Sequence, residues 1–137
     1  MDAKTVTLVQ DSFEKVRPIA ATAAEIFYTK LFELDPALKP LFPSEKEAMA
    51  SQGNKLMTML GAAVAGLSNI EALIPVLEDL GKRHVDYNVE PSHYDTVGAA
   101  LLGALEAGLA DDFTPEVKEA WAGVYGTMAN VMIEAAY

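Results

Sequence analysis

The chain has 137 residues and no cysteine, so one domain spanning 1–137 with a single core is expected, while disulfides, iron–sulfur clusters and cysteine zinc sites are excluded. Twenty acidic against ten basic residues give a formal charge of −10, the wrong sign for a phosphate backbone, so nucleic acid is not an expected partner. The longest apolar-or-glycine runs, Leu60 to Leu67 and Val97 to Leu105, fall short of the roughly 20 residues of a membrane span, and the first residues lack a signal-peptide pattern; a cytoplasmic protein with no membrane association is expected.

Helical periodicity runs almost throughout, which predicts an all-α fold. A first helix, about Ala3 to Arg17, aligns Val6, Val9, Phe13 and Val16; after Pro18 a second runs from Ile19 to Leu34, ahead of Asp35-Pro36. Pro36 to Phe42 suits a tight one-turn element. Ser44 with Glu47 fits a capping box that opens a helix running to about Gly66, where glycine is expected to close it in the left-handed conformation. Ser68-Asn69 forms a turn, and the next helix extends from Ile70 to about Tyr87. Ser92 is expected to cap a helix ending near Leu109, with Tyr94, Val97, Leu101 and Leu105 inward. Thr114 and Pro115 open the last one, whose stripe is Val117, Trp121, Val124, Met128, Val131 and Ala135. Gly98, Gly103 and Gly108 are expensive in a helix and imply close approach, either of another helix or of a flat ligand.

The chemistry concentrates on two histidines. His84 shares a helical face with Leu73, Leu77 and Leu80, where a ring nitrogen needs a partner. Glu90 and His93 have the Glu-x-x-His spacing of a di-iron bundle only once and broken by Pro91, so that reading fails; hydrolase elbows, nucleotide loops and zinc-protease motifs are absent too. His84 alone fits a core-edge histidine bonded to a carbonyl or favouring the end of its helix. Gln52, however, heads an apolar stripe of Leu56, Met59 and Ala63, and Tyr28 lies within the apolar run Ile26 to Phe32. Three polar groups on inward faces of three helices suggest a cavity with one ligating nitrogen and two hydrogen-bonding groups opposite it.

The runs IFYTKLFELDPALKPLF, SQGNKLMTMLG, LEDLGKRHVDYNV, SHYDTVGAALLGAL and AWAGVYGTMANVM, in this order, resemble bacterial single-domain globins similar to the haem domain of flavohaemoglobins. The resemblance implies a three-over-three helical sandwich around a haem pocket. It implies His84 as the proximal iron ligand, with Tyr94 beside it, and Phe42 packed on the porphyrin face. Tyr28 and Gln52 become the distal hydrogen bonders to the bound gas, and Leu56 overhangs it. Leu80 and Val89 would pack the proximal side, Val97 would contact the cofactor, and Lys55, at the rim, would either pair with a haem propionate or stay solvated.

The function so implied is reversible binding of dioxygen, nitric oxide, carbon monoxide or related gases by haem b, since no Cys-x-x-Cys-His attachment site exists. Nitric oxide dioxygenase activity fed by an external reductase is the enzymatic alternative, because a chain ending at Tyr137 has no room for the reductase domains of flavohaemoglobins. A haem-free globin-fold sensor is a remoter one. The family's last-helix glutamate, which strengthens the proximal histidine, falls here on Ala136, with Glu134 near the opposite face. Both monomers and homodimers occur in the family.

Overall fold

The computed structural model describes residues 3–41, 45–86 and 89–136. Six α-helices account for most of them: α1 (Ala3–Val16), α2 (Ala20–Leu34), α3 (Lys46–Gly66), α4 (Ile70–Asp86), α5 (Pro91–Leu109) and α6 (Pro115–Ala136). Short 3-10 turns at Arg17–Ile19, Pro36–Leu41, Leu67–Asn69 and Ala110–Asp112 make the corners, and no strand occurs among the described residues. α2 packs chiefly on α5, α4 on α6, α1 on α6, and α3 on α2, which sets α1, α3 and α4 over α2, α5 and α6. This is the all-α sandwich that the sequence implies.

The core follows from the helical stripes. Val9, Phe13 and Val16 of α1 meet Val117, Trp121 and Val124 of α6 as buried residues. Ser12 lies within the α1 stripe, and its hydroxyl joins the two helices: the Trp121 indole N–H donates to Ser12 Oγ at 2.8 Å, and Ser12 Oγ donates to Val9 O at 3.0 Å. Both polar groups are thereby satisfied in a dry setting. Met132 and Gly81 mark a close crossing, where a Cβ on residue 81 would stand 2.4 Å from Met132 O. Only glycine lets α4 lie this close to α6.

Several element ends differ from expectation for local physical reasons. α3 starts at Lys46, not Ser44, because extended Glu45 takes the capping position and its carbonyl accepts from Met49 N–H at 2.9 Å; Ser44 lies outside the described residues. Gly66 is right-handed (φ −70°), since α3 tightens into a 3-10 turn instead of stopping; its missing Cβ makes room for Leu73 Cδ1, 3.1 Å from where that atom would be. α5 starts at Pro91 with Glu90, not Ser92, as its cap. Proline loses nothing at a first helical position. The Glu90 side chain accepts from the His93 backbone N–H, while Glu90 N–H donates to His93 Nδ1 at 3.0 Å. His93 is therefore a capping residue. Thr114 caps α6 as expected, accepting from Val117 N–H at 3.2 Å.

Apolar side chains on α3 and α4 are unevenly covered. Val64, Leu67, Leu73 and Leu77 are buried, but Met59 is 40% exposed and leaves the inward stripe with Gln52 that the sequence predicts. The inward face is rotated toward Gly53, Leu56, Leu60 and Val64. One 18-residue window within Glu47–Asp86 reaches a mean hydropathy of 1.6, long and apolar enough to cross a membrane by length and composition, although no single run in it suggests so.

Candidate functional site

The site is built on α4. Its face descends from buried Leu73 and Leu77 to half-buried Leu80 and His84, so the imidazole stands where the core opens. His84 Nδ1 lies 2.7 Å from Leu80 O, one turn earlier. A carbonyl only accepts, so Nδ1 carries the hydrogen and the neutral ring has its lone pair on Nε2. This is the tautomer of a metal-ligating histidine held by its own helix. Val89 N–H donates to His84 O at 3.0 Å.

Across from α4, the first turn of α5 brings Tyr94 alongside. The two rings lie 6.0 Å apart between centroids at 29°, a stacked pair. Tyr94 is buried, and its backbone carbonyl accepts from Tyr125 Oη at 2.6 Å. The Tyr125 ring lies against α5 at Gly98, where a Cβ would be 2.7 Å from Cε2. Gly98 therefore serves helix-on-helix packing, and Gly103 and Gly108 likewise face Lys30 and Ile19. Burial, with Tyr94 and Asp95 adding to it, pushes the Tyr125 phenol well above its ordinary pKa.

The second group gathers between α2 and α3. Tyr28 is 7% exposed, with Phe27 edge-on at 5.0 Å and Phe32 stacked at 6.1 Å. Its ring reaches α3 at Gly53, where a Cβ would lie 3.8 Å from Tyr28 Cε2 and 3.0 Å from Ala24 Cβ. Gly53 thus lets α3 approach α2 and sets Tyr28 beside the residue that follows Gln52. Burial pushes the Tyr28 phenol up to about 12, so it is a hydrogen-bond donor at neutral pH. Gln52 and Leu56 are half-buried on α3, whereas Lys55 is exposed; Val97 is half-buried on α5. Phe42 lies outside the described residues.

Two features escaped the sequence reading. Tyr125 lies inside the run AWAGVYGTMANVM, but the resemblance gives it no role, and its place next to buried Val124 on the α6 stripe is its one further mark. Gly53 sits in SQGNK with no partner legible nearby. An open groove of about 710 Å³ between α1 and α6, lined by Lys4, Leu8, Glu116 and Glu119, is bridged by a 3.7 Å Lys4–Glu116 pair and includes neither His84 nor Tyr28.

Residues 25–132, which include Tyr28, Gln52, His84, Tyr94 and Tyr125, match the family described as Globin. The chain belongs to the globin family. This globin is 29% identical over 133 residues to a flavohemoprotein of Bacillus subtilis, covering 97% of the chain, and 34% identical over 131 residues to one of Xylella fastidiosa, covering 93%. It spans about a third of the length of each, 33% and 32%. A bacterial globin from Campylobacter jejuni superposes with a TM-score of 0.85 at 25% identity, over 98% of this chain and 95% of the other. The six helices are thus those of a bacterial globin, and the resemblance expected from the sequence holds.

Proposed function

We propose that this globin binds haem b through Nε2 of His84 and reversibly holds dioxygen or related diatomic gases, serving storage, delivery, sensing or detoxification. The bond from His84 Nδ1 to Leu80 O carries the reading, because it selects the tautomer whose remaining nitrogen can ligate iron. Tyr94 fixes the tilt of the ring from one side. Bound haem supplies an iron with a coordination position for a gas molecule. With no cysteine in the chain, the porphyrin is held without thioether links.

The remaining work falls to the polar groups on α2 and α3. Tyr28, a neutral phenol whose ionisation burial disfavours further, donates toward partial negative charge on the gas, and the Gln52 amide does the same from α3. An amide is a poor iron ligand, so Gln52 leaves the gas position open. Each hydrogen bond in a dry pocket is worth about 1–3 kcal/mol, roughly 5- to 150-fold in retention. Phe42, Leu56, Leu80, Val89 and Val97 are proposed as the apolar lining, with Lys55 at the rim.

Expression with haem available should give a stoichiometric Soret-absorbing complex that binds carbon monoxide when reduced. Tyr28→Phe combined with Gln52→Leu should then raise the oxygen dissociation rate more than tenfold, the loss of two such bonds. An unchanged rate would remove both residues from the gas site. The flavohemoprotein relatives favour a second reading, nitric oxide dioxygenase activity with electrons from a separate reductase. Sustained nitric oxide consumption with a cellular reductant separates it from simple gas binding, since a single rapid oxidation fits both.

A further inference from the structure

We propose that Tyr125 is a positioning residue for His84, acting through Tyr94, with α6 as the common frame that fixes the spacing of the two rings. The inference rests on the proposed role of His84 as haem ligand. α6 grips both neighbouring helices from one side. At Met132 its backbone meets Gly81, three residues before His84, so closely that a single methyl group on residue 81 would collide with it. Two turns earlier, Tyr125 reaches under the start of α5.

The contact at Tyr125 has two separable parts. Its ring occupies the notch left by Gly98, and its hydroxyl extends one turn back to donate to the Tyr94 carbonyl at 2.6 Å. The ring prevents α5 from settling closer to α6, and the hydroxyl prevents its first turn from lifting away. That turn carries the Tyr94 ring, which stacks on His84. A phenol is protonated across the physiological range and so remains a donor to the Tyr94 carbonyl. Tyr125 touches neither the gas position nor His84 through any contact described, so its influence passes through the placement of Tyr94.

Tyr125→Phe deletes the hydroxyl and leaves the ring, whereas Gly98→Ala keeps the hydroxyl and displaces the ring. In the haem-loaded full chain both variants are expected to shift the iron–histidine stretching band in resonance Raman spectra. Both should also speed haem transfer to excess apomyoglobin, Tyr125→Phe by about 2- to 10-fold, the effect of one lost hydrogen bond. The NMR signals of the His84 ring protons, which sense the Tyr94 ring, are expected to move in the same variants. If Gly98→Ala fails to fold, Tyr125→Phe carries the test alone. A lowered melting temperature with the Raman band, haem transfer and His84 signals all unmoved would assign Tyr125 to packing only and overturn the proposal. If the unaltered chain takes up no haem, the ligand reading of His84 falls, and the NMR comparison still decides whether Tyr125 sets the ring.

Discussion

Gly81→Ala is the substitution that the packing of α4 on α6 tolerates least. The added Cβ would stand 2.4 Å from Met132 O and 2.8 Å from Met132 Cα, both backbone atoms. These separations fall roughly 1 Å short of ordinary contact, so the helices must part because no side chain can turn aside. Overpacking of this kind costs about 1–3 kcal/mol, and alanine returns up to about 1 kcal/mol in helix propensity. With the full propensity gain offset, the expected net loss is up to about 2 kcal/mol, which lowers the melting temperature by several degrees. Gly123 provides the contrast, since its Cβ would meet nothing within 4 Å and Gly123→Ala gains propensity alone. Circular dichroism melts of the two variants should therefore move in opposite directions. A higher melting temperature for Gly81→Ala would refute the close crossing.

Ser12→Ala leaves the buried Trp121 indole N–H without its acceptor and should cost about 1–3 kcal/mol in urea unfolding; no change would mean that the bond contributes nothing. His93→Ala removes one half of the cap on α5 and should destabilise by about 1 kcal/mol, with faster amide exchange confined to the first turn of that helix. Tyr28 titrates near 10 when unfolded and at about 12 when buried, so its contribution is intact below pH 10 and is lost as pH rises toward 12. Alkaline unfolding monitored by fluorescence should accordingly begin at higher pH in Tyr28→Phe; identical curves would contradict the burial of this phenol.

The sequence shows the helices because their stripes are periodic: Val117, Trp121, Val124 and Met128 are all buried, as their spacing predicts. It also shows that His84 needs a partner, a carbonyl or the end of its helix among the candidates, and Leu80 O is the acceptor it meets. Pairwise closeness is not legible in the same way. Gly98 reads equally as a seat for a helix or for a ligand until Tyr125, 27 positions later, fills the notch. Gly81 gives no hint of Met132, and Ser12 reads as a weak polar interruption until the indole N–H arrives from α6. Helix ends fail where several residues compete for one capping role: Ser92 is a good cap in isolation, but Pro91 at the first position hands the role to Glu90. Met59 leaves its expected face because the close approach at Gly53 sets the rotation of α3.

Replacing His84 by glycine tests the central claim most directly, because it removes the imidazole while free imidazole can be supplied from solution. The account expects His84→Gly to lose the ligated haem spectrum at equimolar haem and to regain it, with an iron–imidazole stretching band, when imidazole is added. A variant that keeps a normal ligated spectrum without imidazole would contradict the account, for the iron would then be held by some other residue.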